Sequence, residues 1–277
     1  IDFVSDRTYV PILNRSGYNA SFLPLGVDPG IFLHKGGEWT YTDTVSFVGN
    51  SYRNKIDKYV APHYEYFESI LPDIRETASA YRQTRNQDLE SEVEKVISRN
   101  KPPSDLPFRK AVMITSLFID YLSRKDTIIM LAEHYPEFRV YGDTGWTQEI
   151  DPSRVSGEIG YYDNLSRKYS ETMINIDINR IVIKQGFTQR VFDAPASGGF
   201  LITSYKPVLE EFFETSGPNK EIVCFRDNND LIDKVNYYME AEDERDGIRE
   251  RAAEKILANH TYNHRIGEIF RRLKQVF

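Results

Sequence analysis

Between Phe138 and Phe225 the chain switches repeatedly from short β-branched and aromatic runs to segments with helical spacing, and this narrows the possible folds more than any other feature. Strands are expected at Phe138–Tyr141, Gly157–Tyr161, Thr172–Asp177, Gly199–Thr203 and Glu221–Phe225. Helices are expected at Asn164–Ser170, Thr188–Ser197 and Pro207–Glu214, and again from Asn228 to Phe277. Strands alternating with helices make a parallel sheet covered on both faces, and such sheets bind ligands at the carboxyl ends of their strands. Gly49-Asn50, Gly142-Asp143, Tyr161-Tyr162 and Gln185-Gly186 all fall at such ends.

Upstream, residues 1–33 read as the end of another α/β unit, with a strand at Asp2–Val4, a helix at Tyr9–Arg15 and a strand at Ser21–Leu23. Pro24, Gly26 and Pro29 then fix a turn, and Gly36-Gly37 suits a hinge. A second unit opens with the β-rich run Thr44–Val48. The expected division is 1–40 as the tail and linker of a first unit and 41–277 as a second one. Within the second, residues of about 55–134 form a helical insertion of three or four helices without a strand. Gln87–Arg99 is read as a solvated helix, and Phe108–Leu131 carries enough apolar positions at helical spacing to dock on a sheet.

The net charge of −7 and pI near 5.4 give no general attraction to phosphate backbones, which argues against nucleic acid as the main partner. Cys224, the one cysteine, sits in an apolar strand and reads as a buried residue, with no disulfide framework. The most apolar stretch, Ala111–Leu122, is too short to span a bilayer and contains Asp120. The chain starts at Ile1 with no basic n-region or cleavable apolar segment, so a cytoplasmic protein, present here as a fragment, is expected.

The segment Lys184–Thr203 joins a glycine turn, a helix start, an acid and a buried strand. Gly186 lets the backbone turn tightly, and Thr188 is a candidate cap whose helix would offer free N–H groups to an anion such as a diphosphate. Asp193 follows where a carboxylate can accept hydrogen bonds from a sugar diol. Gly198 and Gly199 end the helix.

Leu23-Pro-Leu-Gly-Val-Asp-Pro29, Phe47-Val-Gly49, Val140-Tyr-Gly-Asp143 with Trp146, and Arg190-Val-Phe-Asp-Ala-Pro-Ala-Ser-Gly-Gly199 together resemble the glycosyltransferase-like domain of the CgeB-type spore-maturation family. His260-Thr-Tyr-Asn-His-Arg265 extends the likeness, which covers roughly residues 20–270. The resemblance implies a bacterial GT-B glycosyltransferase: two Rossmann-like domains facing a cleft, the C-terminal one holding a nucleoside diphosphate sugar. Only the tail of the N-terminal domain would be present. Related retaining enzymes place two acids eight positions apart around this glycine turn. Asp193 matches the second and would bind the donor ribose, whereas the first position is Gln185, which hydrogen-bonds without charge and removes a carboxylate from beside the sugar.

For each candidate a plainer reading stands beside the functional one. Arg53 and Arg190 can neutralise a diphosphate or serve as structural ion pairs. Gly186, Phe187 and Thr188 can give N–H groups to the ligand or only cap a helix. Gly49 and Asn50 can admit phosphate or acceptor, or simply end a strand. Tyr161 and Tyr162 can flank a nucleobase or pack. Asp143 and Trp146 are explained equally by a turn and a hydrophobic plug, and His260 and His264 by capping and packing rather than metal. No Asp-x-Asp motif occurs, so neither an obligatory metal nor a cofactor beyond the donor is expected. The expected partners are the donor and an unknown glycan or protein acceptor, with the helical insertion available for acceptor choice or homo-oligomer contacts. A donor-binding module without turnover is the competing function, and a nucleotide-sugar epimerase a weaker third.

Overall fold

The computed structural model describes residues 1–33, 40–84 and 89–275; Gly36-Gly37, read as a hinge, and Gln87 at the start of the expected solvated helix lie outside the described residues. Strands β1 (Asp2–Val4) and β2 (Ala20–Phe22) pair in parallel around helix α1 (Tyr9–Arg15), which buries no residue. The main sheet has six strands: β3 (Asp43–Val48), β4 (Arg139–Tyr141), β5 (Val155–Ser156), β6 (Thr172–Asp177), β7 (Leu201–Ser204) and β8 (Val223–Phe225). They lie in the order β5-β4-β3-β6-β7-β8, all parallel. The order reverses direction between β3 and β6, as in doubly wound dinucleotide-binding sheets, and the crevice at that reversal is where such sheets take their ligands.

Register brings one apolar row across five strands. Val140 pairs with Phe47, Phe47 with Ile176, Ile176 with Ile202, and Ile202 with Val223, and all five are buried. This row packs against Ile128 and Leu131 of α6 (Phe108–His134) and Leu231 and Val235 of α9 (Asn228–Glu240). The opposite face buries Leu165 and Tyr169 of α7 (Asp163–Ser170), Val191 and Phe192 of α8 (Arg190–Ala196), and Ile256 of α10 (Glu242–Asn259). Two covered faces explain why these strands read as continuous apolar runs rather than alternating ones.

The 55–134 region holds more helices than expected: α2 (Arg53–Val60), α3 (Tyr64–Ser69), α4 (Leu71–Thr84) and α5 (Leu89–Arg99) precede α6. Helix α5 is not a solvated one, because Leu89, Val93, Val96 and Ile97 recur at helical spacing and bury a face. Helix α6, about 40 Å long at 1.5 Å per residue, gives Ala111, Ile114 and Ile119 to the helical core and Ile128 and Leu131 to the sheet core, and so fuses the two.

Three further expectations change. The strand placed at Gly157–Tyr161 is the two-residue β5 at Val155–Ser156, two glycines leaving 157–160 without regular structure. Pro207–Glu211 forms a 3-10 turn rather than a helix to Glu214, and Cys224 is only partly buried. Finally, α11 (Tyr262–Leu273) starts with a capping box in which Thr261 and the His264 ring satisfy each other's backbone.

Candidate functional site

At the sheet's order reversal, the loops after β3 and β6 are bridged by one buried guanidinium. Arg124 of α6 donates to the carbonyl of Asn50 at 3.1 Å and to that of Ile178 at 3.3 Å. Burial pushes its pKa below the ordinary arginine value, opposed by Asp120 and Tyr52. Arg180 pairs with Asp120 at 2.9 Å. Both guanidiniums lie over the Tyr52 ring, that of Arg124 5.0 Å and that of Arg180 4.7 Å from its centroid. Tyr52 also has φ of +66°, the only left-handed non-glycine among the described residues.

Arg190, in the first turn of α8, pairs with the buried carboxylate of Asp177 at the end of β6. Burial lowers its pKa, but Asp177 and Tyr169 outweigh that and hold it above the usual value. Three guanidiniums, of Arg124, Arg180 and Arg190, therefore meet two carboxylates, of Asp120 and Asp177. The Nε–H groups of Arg124 and Arg190 are buried without a hydrogen-bond partner. These five groups sum to one positive charge, which Asp193 beside Arg190 offsets when ionised, so the feature that suits an anion is the pair of unpartnered Nε–H donors.

Asp193, also in the first turn of α8, is 1% exposed. The Tyr161 hydroxyl donates to its Oδ2 at 2.8 Å and the Gln189 amide to its Oδ1 at 3.1 Å. Burial pushes its pKa up to about 7, against those two hydrogen bonds and Arg190. Tyr161 is 47% exposed and meets Phe32 and Tyr162 edge-on.

The glycine turn differs from its expected role. Thr188 does not cap α8: its hydroxyl donates to Asp177 and its N–H to Asn179, while the capping position falls to Gln189, whose side chain makes no cap hydrogen bond. The N–H groups of Lys184 and Gln185 donate to Asp6, and the Gln185 carbonyl accepts from the N–H of Arg7. Gly186 is buried with its Cβ position 2.4 Å from the Ser5 carbonyl oxygen. Close approach of the β1-to-α1 segment, not a left-handed turn, is what requires glycine there. Phe187 packs edge-on against Phe192 and Phe212.

Other candidates are engaged in structure. Arg53 pairs with Asp57 and Glu149, the latter at 2.5 Å and shared with Tyr121, so it sits in an ion-pair network that raises its pKa. The Gly49 carbonyl accepts from Trp146. Asp143 organises its loop by accepting from the Ser51 hydroxyl at 2.6 Å and from two backbone N–H groups. His260 stacks on Phe192 with ring centroids 5.0 Å apart. Among the described residues, no three His, Cys, Asp or Glu side chains gather as a metal site would require.

The structure thus brings Arg190 and Asp193 together with Tyr161, and leaves Arg53 tied to α2 and the loop after β4. Arg124, Arg180, Asp120 and Asp177 were not singled out from sequence as site residues. A usable signal was present: Asp120 and Arg124 stand four apart inside an apolar helix, where charges persist only when paired or functional. Two pockets flank the 178–184 segment. One is lined by Asn179, Ser204 and Asn228 at the ends of β6–β8, the other by Tyr9, Met113 and Val182 between α1 and α6. Asp193 lines neither.

A profile of the family described as glycosyl transferase-like matches residues 115–271. No curated protein matches the chain. Among solved structures, sucrose-phosphate synthase from Thermosynechococcus elongatus superposes with a TM-score of 0.53 at 11% identity, over 99% of this chain and 58% of that one. A TarM mutant from S. aureus, in complex with fondaparinux, alpha-GlcNAc-glycerol and UDP, superposes with a TM-score of 0.50 at 11% identity, over 97% of this chain and 43% of that one. At this identity the likeness is one of fold, and this chain spans roughly half the length of each.

Proposed function

This chain belongs to the glycosyl transferase-like family, and from that membership we propose that it moves a sugar from a nucleoside diphosphate sugar to an acceptor. Residues 41–277 are proposed as the donor-binding unit of a GT-B enzyme and residues 1–40 as the edge and linker of its partner domain. Asp193 holds the donor ribose. The guanidiniums of Arg124, Arg180 and Arg190 face the diphosphate and take up the charge that grows on the departing nucleotide, the role a divalent ion fills elsewhere. The observation that carries this reading is the buried Asp193 carboxylate three residues along α8 from Arg190, which itself pairs with Asp177 at the end of β6.

The order of motifs from Leu23 to Arg265 favours the CgeB-type branch of the family, with a hexose as the sugar and a cell-surface glycan or protein as acceptor. A complex with UDP in a protein of the same fold supports a uridine nucleotide as the first one to try. Gln185, where related retaining enzymes carry an acid, favours a second reading, a nucleotide-sugar-binding module without turnover.

Thermal-shift titration with UDP, GDP, ADP and dTDP tests the donor site, since a ligand at 100 times its Kd adds about 2.7 kcal/mol. Stabilisation by one of them, weakened in Asp193→Ala, is expected; indifference to all four removes both readings. Sugar release or transfer from the matching nucleotide sugar then separates enzyme from binder.

A further inference from the structure

The Tyr161 hydroxyl occupies the face of Asp193 that a ribose diol would need. Both oxygens of this carboxylate are engaged, Oδ2 by the phenol and Oδ1 by Gln189, and nothing else of the residue is open to solvent. A nucleotide cannot reach it while the phenol is in place.

The phenol, by contrast, belongs to a segment without regular structure. Tyr161 ends the irregular stretch between β5, a two-residue edge strand, and α7. A Cβ at Gly157 would meet nothing within 4 Å, and one at Gly160 only the Asn164 amide at 3.9 Å, so neither glycine is there to admit a close neighbour. Glycines in open space give the backbone dihedral freedom that a swinging segment uses. Its ring contacts are with Phe32 and Tyr162, both edge-on, and the hydroxyls of Tyr262 and Tyr169 lie within electrostatic reach of its phenol.

We propose that Tyr161 is a displaceable stand-in for ribose: it satisfies Asp193 in the free protein and swings out when a nucleotide with a vicinal diol takes its place. This rests on the reading of Asp193 given above. The exchange is balanced by its chemistry. A buried carboxylate left without donors is strongly unfavourable, so an empty site needs a substitute hydroxyl. A diol brings two O–H donors to the one that leaves, and the half-exposed phenol returns to water. The site therefore stays closed and satisfied until a ligand carrying both hydroxyls arrives, which selects ribonucleotides over their deoxy counterparts.

The test compares UDP with 2′,3′-dideoxy-UDP on the wild-type chain and on Tyr161→Phe, which keeps the ring and removes the competing hydroxyl. UDP is expected to bind the variant about 3- to 10-fold more tightly than the wild type, whereas the dideoxy nucleotide, unable to claim Asp193, binds both alike. Equal or weaker UDP binding by the variant overturns the proposal while leaving the donor site intact; no UDP binding by either protein removes the donor reading itself. Hydrogen exchange across residues 157–162 of the wild type supplies a check that needs no variant. Saturating UDP is expected to speed exchange there, and an unchanged pattern overturns the swing.

Discussion

The indole Nε1 of Trp146 donates a 2.8 Å hydrogen bond to the carbonyl oxygen of Gly49, locking the loop after β4 onto the loop after β3. Trp146 is fully buried and meets Phe47 edge-on at 6.0 Å, so the same side chain packs the end of the sheet and holds the backbone that leads to Asn50 and Arg124. Trp146→Phe keeps much of the packing and removes the donor. It is expected to lower stability by about 2–3 kcal/mol, read as a lower midpoint in chemical denaturation.

The same carbonyl sets a second constraint. A Cβ at Gly142 would sit 2.3 Å from the Gly49 oxygen, whereas one at Gly157 meets nothing. Gly142→Ala should therefore push two backbones apart and lose roughly 2–4 kcal/mol. Gly157→Ala should be neutral or gain about 0.5 kcal/mol by restricting the unfolded chain. Paired thermal melts decide, and similar losses in both would contradict the geometry.

Asp193 gives a pH dependence with a defined sign. Its pKa is raised from 3.8 to about 7, chiefly by burial, so the native protein holds this proton more tightly than the unfolded chain does. The stability it contributes is fully present below 3.8 and is lost as pH rises through about 7. Asp193→Asn keeps the shape without the charge. Its stability relative to wild type is expected to improve by roughly 2–4 kcal/mol between about pH 5 and about pH 8, measured by denaturant unfolding at each pH.

His260 acts in the opposite direction. Burial, helped by Arg265 and Lys255, lowers its pKa from 6.5 to about 4, so the stability tied to its neutral ring is present above 6.5 and lost as pH falls through about 4. His260→Gln should flatten the acid side of the stability profile over that window. A slope identical to wild type would show that the ring stacked on Phe192 does not resist protonation.

Much of the sheet was legible because it is written locally. The strand Thr172–Asp177 and the helix Tyr9–Arg15 appear with the bounds their composition predicts. Strand β5 was misplaced because Ile159 and Tyr161 imitate a strand pattern while Gly157 and Gly160 free the chain from it. The extra helices arose where prolines at 62 and 72 divide one apolar-spaced region into several short helices that share a core.

The site divides differently. Sequence named Arg190 and Asp193, since both belong to one short motif, but it misread Thr188, whose partners Asp177 and Asn179 come from the previous strand end. Arg124 went unnoticed because its role lies in bridging Asn50, 74 positions away, and Ile178, 54 positions away.

By itself the sequence determined most of the elements, the parallel arrangement and the residue types at the strand ends, because periodicity and turn chemistry act over a few neighbouring residues. Only the tertiary structure decided that Asp193 is sealed by Tyr161 and that the Gly186 bend is pressed against Ser5. Those outcomes depend on which distant segments share a low-dielectric interior, where each buried polar group must find a partner wherever the fold supplies one.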